Sequence, residues 1–335
     1  MKRLCIILGC IIMSACTHAE LNIPTQPTKP TKPNAVAPLE LLPSELSLPH
    51  FRSMRLEGTD FTLGDVQSRT NAYTRYTITY RSNGLLISGI MNIPTGPGPH
   101  PLLILNHGYI APSIYTNGRG LKREQDYLAR QGFAVLHTDY RGHAFSDESP
   151  MVEKVYDGNL EYAMDSLNAI HAVRAAALPQ IDAKRVGMMG HSLGGGVTLA
   201  VATAHPEMID AIVLYAPVHG DVWENFTRWR AEREEGDRTI EQFGTREEHP
   251  ETWDQLSPQT FLSNIDDPVL LFQGDKDKDV PKAWSDHLAQ KLKDAGRDVT
   301  YIEYPYEGHE FATQWSDFMQ KTAEFFSTHL EEDPS

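Results

Sequence analysis

The sequence predicts an α/β protein: a mostly parallel central sheet with helices on both faces. Three observations carry this. Short, continuously apolar runs recur at 102–105, 133–136, 186–189, 211–214 and 269–272, as expected of strands buried on both faces. Helix-like stretches separate them at 121–130, 160–177, 194–204 and 283–295, and a last one covers 315–329. A glycine-rich turn, Gly190-His191-Ser192-Leu193-Gly194, joins one strand directly to a helix. Strands alternating with helices imply parallel crossover units.

The chain begins with Lys2 and Arg3 and an apolar run over 4–13, too short to span a bilayer as a mature helix. Met13-Ser14-Ala15-Cys16 resembles the bacterial lipobox. That resemblance implies a signal peptide over 1–15 and a lipidated Cys16. Thr17, where an aspartate would imply retention in the inner membrane, implies sorting to the outer membrane, with the folded domain in the periplasm. Residues 16–49 read as a tether: Pro24, Pro27, Pro30, Pro33, Pro38 and Pro43 favour extended polyproline II and bury little. The folded domain is expected over 50–330. It opens with a hairpin, strands 73–80 and 85–93 about the turn Ser82-Asn83-Gly84. The five buried strands follow, and 300–304 is the last. Residues 218–261 break this rhythm with Trp223, Trp229, Trp253 and a charge run over 230–238, and are expected to form a lid-like insertion over one end of the sheet.

Composition narrows the function classes. There are 30 basic and 45 acidic residues, a formal net charge of −15, and that field repels phosphate backbones. Nucleic-acid binding is excluded on this ground. All three cysteines, Cys5, Cys10 and Cys16, precede residue 17, so the later chain has no disulfide and no cysteine metal site.

The strand–turn–helix context makes Ser192 a candidate nucleophile. A sharp turn there would lift its hydroxyl clear of the sheet's carboxyl end, at a helix N-terminus that favours negative charge. Serine needs a base held by a carboxylate. The loop Gln273-Gly274-Asp275-Lys276-Asp277-Lys278-Asp279-Val280-Pro281 offers three carboxylates, and fourteen histidines compete for the other role. The D-x-D-x-D spacing suggests a calcium loop, but Val280 stands where that loop needs glycine, so no metal is expected. An oxyanion hole requires two backbone N–H groups. Leu193, after the serine, supplies one. The loop Asn106-His107-Gly108-Tyr109, after strand 102–105, is the candidate for the other.

From about residue 72 to 329 the chain resembles an α/β hydrolase of the prolyl-oligopeptidase and dienelactone-hydrolase branch. Besides the serine turn, Gly274 to Pro281 resembles the branch's G-x-x-D-x-x-V-P pattern, which implies Asp277 as the acid. Gly308-His309-Glu310-Phe311 resembles its G-H-x-F loop, which implies His309 as the base. His107-Gly108-Tyr109 resembles its H-G-x loop, which implies Tyr109 N–H as the second oxyanion donor. The Tyr109 ring is either a further donor or a pocket wall. Asp139-Tyr140-Arg141-Gly142-His143 resembles the D-Y-R-G segment, whose Asp139 and Arg141 are expected to order a loop beside the site.

The resemblance implies a serine hydrolase acting through an acyl-enzyme without metal or organic cofactor. A tether and a hairpin stand where prolyl oligopeptidases carry a peptide-filtering propeller, so carboxylic esters are the first expectation. Short peptides or amides are the alternative, and an inactive envelope lipoprotein is the third reading. Peptidase specificity would call for a pair of amine-binding glutamates, which Glu232, Glu234 and Glu235 could supply, or these simply form a solvated helix face. In the insertion Trp223, Phe226, Trp229 and Phe243 either wall a pocket or anchor the segment. Its acidic outer face is expected to disfavour anionic substrates. The membrane is a partner through the lipid alone.

Overall fold

The computed structural model describes residues 43–150 and 155–331. The signal peptide, Cys16 and most of the tether lie outside the described residues. Among those described, one sheet has nine strands: β1 (Gly58–Arg69), β2 (Tyr73–Ser82), β3 (Leu85–Pro94), β4 (His100–Asn106), β5 (Ala134–Thr138), β6 (Ile181–His191), β7 (Ala211–Tyr215), β8 (Val269–Gly274) and β9 (Val299–Tyr304). Their order is β1-β2-β3-β5-β4-β6-β7-β8-β9. The first three run antiparallel and join β5 antiparallel, and every pairing from β5 to β9 is parallel.

Alternation along the apolar runs builds two core layers. Leu103, Leu105, Val135, Met189, Val213 and Phe272 pack on one face with α2 (Lys122–Arg130) and α9 (Trp315–His329). Leu102, Ile104, Leu136, Met188, Ile212 and Leu271 pack on the other. That face carries α3 (Leu160–Ala176), α4 (Leu193–Ala204) and α8 (Lys282–Asp294). Every residue of α4 is buried, which is why its sequence is apolar all round rather than striped.

Two elements escape the sequence pattern. Strand β1 is exposed along most of its length and bulged against β2, so neither alternation nor continuous apolarity marks it. Helix α1 (Leu48–Ser53) starts inside the stretch read as tether. Ser47 caps it by accepting the His50 N–H at 3.2 Å, and Leu46, Leu48 and Phe51 are buried in the core.

The insertion holds α5 (Val222–Trp229), α6 (Glu234–Phe243) and α7 (Pro250–Leu256) between β7 and β8. Each turns a few apolar residues inward. Trp253 is fully buried, with the rings of Trp223, Phe226 and Phe243 at 4.7, 5.1 and 6.0 Å.

Chain order reverses beside β4: its successor β5 lies on one side and β6 on the other. In open α/β sheets the crevice at such a reversal, outside the strands' carboxyl ends, is the ligand site. The loop after β5 borders it and is tied down by charge. Arg141 donates to Asp165 at 2.8 and 3.0 Å and to Glu161 at 2.5 Å, all three side chains being buried or nearly so. Asp139 accepts from Ser88, Tyr115, Asn117 and the Gly118 N–H. Both residues are structural, as the D-Y-R-G resemblance implied. Arg141→Ala should cost about 3–5 kcal/mol in urea unfolding, because it strands the buried Asp165 carboxylate; a loss below about 1 kcal/mol would show the pair to be dispensable.

Candidate active site

Ser192 sits between β6 and α4 with φ 57° and ψ −121°, a conformation that costs on the order of 1–3 kcal/mol. Three backbone hydrogen bonds hold it. Its N–H donates to Tyr215 O at 3.0 Å, and its carbonyl accepts from Gly195 and Val218 at 2.9 and 3.1 Å. Glycine is compulsory around it. A Cβ on Gly190 would lie 2.0 Å from Gly194 O, and one on Gly194 would lie 2.0 Å from Asn106 O.

This contact brings the loop after β4 against the serine. Asn106 is locked to α4 and α3 by Thr198 Oγ1 at 2.9 Å and Ser166 Oγ at 2.8 Å. Next comes His107, whose ring stacks between the rings of Tyr140 at 4.4 Å and Tyr115 at 4.9 Å. Burial lowers His107 to about 3, so the ring is neutral packing and not a base. A Cβ on Gly108 would stand 3.1 Å from Ser192 Cβ. Neither Tyr109 N–H nor Leu193 N–H donates a hydrogen bond among the described residues, and both residues line the cavity that holds Ser192.

The acid and the histidine come from the ends of β8 and β9. Asp277 Oδ2 lies 2.8 Å from His309 Nδ1 and accepts from Gln273 Nε2 at 2.9 Å. Its Oδ1 accepts the N–H groups of Asp279 and Val280, each at 2.9 Å. Burial pushes this carboxyl up, but the bonds from His309, Val280 and Gln273 outweigh it and hold it below the usual carboxylate range. An ionised Asp277 can only accept, so Nδ1 of His309 carries the proton and Nε2 keeps its lone pair. Ser192 Oγ has no hydrogen bond among the described residues; loose nucleophile–base contacts are common before substrate binds. His191, beside His309 with ring centroids 4.6 Å apart, is lowered to about 3 by burial and the neighbouring imidazole.

The other two acids of the loop do different work. Asp275 accepts the Tyr306 N–H, and Asp279 lines the cavity. Asp277, Asp279 and His309 bring ligand-type atoms within 4.8 Å of one another, so these are the residues that could hold a cation; both Asp277 oxygens are already engaged by donors. Sequence reasoning missed the support behind the acid, where Gln273 accepts from Ser285 Oγ at 2.7 Å while donating to Asp277. It also missed Glu307, which accepts the Ala312 and Gln314 N–H groups and shapes the His309 loop.

Ser192 and His309 share a cavity of about 580 Å³. Residues 119–333 match the prolyl oligopeptidase family, which covers the serine, the acid and the histidine. The chain belongs to that family. YtmA of Bacillus subtilis (strain 168), an uncharacterized peptidase, is 28% identical over 256 residues, 73% of this chain and 93% of that one. The chain spans only about a third of the length of longer curated relatives. Among solved structures, Pyrococcus horikoshii acylaminoacyl peptidase superposes with a TM-score of 0.63 at 20% identity, covering 79% of this chain and 43% of that one. Acetyl xylan esterase 1 from Thermoanaerobacterium sp. JW/SL YS485 gives 0.58 at 18% identity, covering 89% and 96%. The α/β-hydrolase fold is shared with both, and the protein is a serine hydrolase.

Within this family member the insertion residues separate by role. Trp223 packs on Trp253 and Phe226, while Trp229 lines the cavity and meets Trp284 at 5.4 Å. Phe226 and Phe243 are buried anchors. The glutamates do not reach the cavity wall: Glu235 pairs with Arg230 and Glu234 with Arg238. Arginines do reach it. Arg230 and Arg233 line the cavity and face the half-exposed Tyr109 ring, so that ring is a wall. The ground for expecting the insertion to disfavour anionic substrates does not extend to the cavity, because Arg230 and Arg233 line it while Glu232, Glu234 and Glu235 do not. Trp223→Ala should lower stability by up to about 3 kcal/mol in thermal melts while leaving acyl chain-length preference intact. Trp229→Ala should do the reverse, and matching behaviour of the two variants would contradict this division.

Proposed function

We propose that this serine hydrolase cleaves carboxylic esters through an acyl-enzyme. Ser192 Oγ attacks the carbonyl carbon as His309 Nε2 takes its proton. The oxyanion is held by Leu193 N–H and Tyr109 N–H, and collapse breaks the C–O bond while His309 returns the proton to the leaving alcohol. Water, activated by the same imidazole, then releases the acid. Asp277 fixes the imidazole's tautomer and stabilises its charged form. The observation that favours ester over peptide is that the insertion's glutamates, Glu232, Glu234 and Glu235, stay off the cavity wall while Arg230, Arg233 and Trp229 stand on it; the wall's own acids, Asp279 and Glu310, lie on the Asp277 and His309 loops. Family membership and YtmA, described as a peptidase, favour peptide hydrolysis as the second reading. p-Nitrophenyl esters of rising chain length, run beside aminoacyl-p-nitroanilides, separate the two; faster anilide than ester turnover would overturn the ester reading.

Ser192→Ala should abolish both turnover and fluorophosphonate labelling with the fold intact, and retention of more than a few per cent of activity would remove Ser192 from its role. Asp277→Asn should lower kcat by on the order of 10⁴, as for the equivalent change in a serine-protease triad. Asp275→Asn should cost far less, since that carboxylate only braces the Tyr306 N–H.

The lipobox resemblance supports a further part of the proposal: the enzyme is anchored to the outer membrane through lipid on Cys16, with its hydrolase domain in the periplasm. Cys16→Ser should abolish labelling by radioactive palmitate and release the enzyme from the membrane fraction. An unlabelled, soluble wild-type enzyme would contradict the anchor.

A further inference from the structure

The turn between α5 and α6 carries two arginines onto the loop that offers the oxyanion N–H. The guanidinium carbons of Arg230 and Arg233 stand 5.4 and 5.7 Å from the Tyr109 ring centroid, and Arg230 is also 5.6 Å from that of Tyr156. Cations over aromatic faces are held in place at little cost in hydration. Two backbone features shape the turn. Arg233 N–H donates to Arg230 O at 3.0 Å, and a Cβ on Gly236 would lie 2.3 Å from Ala231 O. Arg230 is paired with Glu235 at 3.2 Å, whereas Arg233 has no acidic partner among the described residues.

The cavity carries charges of both signs, and besides Arg230 and Arg233 its lining includes the cations Lys122 and Arg123 at the start of α2. Its exposed acids, Asp279 and Glu310, belong to the Asp277 and His309 loops, where the leaving group is protonated. Glu124 is engaged by Trp315 Nε1 at 2.7 Å. Arg230 and Arg233 flank Tyr109, whose N–H is the proposed second oxyanion donor. A guanidinium left without an acid, next to a second one and in a protein of net charge −15, is a vacant position for a carboxylate.

We infer that Arg233, with Arg230, selects substrates whose acyl part carries a carboxylate, such as hemiesters of short dicarboxylic acids. This deepens the acyl-enzyme reading above and rests on it. The test compares p-nitrophenyl hemiglutarate with p-nitrophenyl pentanoate, which matches it in length and lacks the charge. The hemiglutarate should have the higher kcat/KM, by about tenfold at low salt, and the ratio should shrink as ionic strength rises. Arg233→Gln should bring the ratio to near one, and Arg233→Lys should keep most of it. Equal use of both esters by the wild type, or a proportional loss of both in Arg233→Gln, overturns the selection while leaving the ester reading intact. Should neither ester be turned over, the ester reading fails, and fluorophosphonate labelling of Ser192 still decides the selection. Slower labelling with glutarate than with glutaramide, reversed in Arg233→Gln, supports it, and equal rates overturn it.

Discussion

The carbonyl oxygen of Asn106 occupies the space where any side chain on residue 194 would begin, 2.0 Å from the Cβ position. Everything at the site depends on that contact. It lets α4 start close against the end of β4, and so forces the chain at Ser192 into a positive φ that three hydrogen bonds then secure. The same contact puts the N–H of Leu193, the first residue of α4, and the N–H of Tyr109, three residues past Asn106, in one crevice. The proposed nucleophile and the two N–H groups proposed as anion donors thus share a single packing constraint at the point where the sheet's order reverses.

The acid and the imidazole are held in another way, by saturation. Asp277 is enclosed and accepts from four donors: two backbone N–H groups, Gln273 and His309. Gln273 is oriented in turn by Ser285 on α8. On the other side Glu307 gathers the backbone after His309, and Tyr215 OH accepts the Phe311 N–H at 2.6 Å. A carboxylate with every acceptor site used has no alternative pose of similar energy. That fixes the imidazole plane without asking the exposed edge of the loop to be rigid.

How much of this was legible in the sequence follows from what each residue answers to. The parallel strands could be read because burial on both faces leaves an unbroken apolar run, and α4 because it follows a turn whose glycines have steric reasons. Asp277 and His309 required the family resemblance, since three carboxylates and fourteen histidines are chemically alike on paper. Strand β1 was invisible because it earns its hydrogen bonds from β2 rather than from any burial pattern of its own. Gln273 and Ser285 carry no motif; their role exists only once β8 and α8 are packed together. The insertion was recognisable as an interruption, but not the direction of its charges. Amphipathicity separates apolar from polar faces and does not say which polar residues turn toward a cavity.

That last ambiguity has a physical resolution in how the insertion is fastened. One end is sunk in the aromatic cluster around Trp253. The end of α5 is tied to the acid loop, where Arg228 donates to the carbonyls of Asp279 at 2.8 Å and Lys278 at 3.3 Å. The turn bearing Arg230 and Arg233 follows directly, so it cannot swing away from Tyr109 without breaking the Arg228 contacts or opening the α6 turn at Gly236. Position is thereby set by backbone carbonyls and buried rings, neither of which depends on the charges the turn displays. The sign of the cavity wall is free to differ from the sign of the protein as a whole, and a net charge of −15 says little about what the serine meets. Two guanidinium groups at the cavity act on a bound group at short range, whereas the surplus of acids spread over the outer surface acts from farther away and is more strongly screened by solvent and salt.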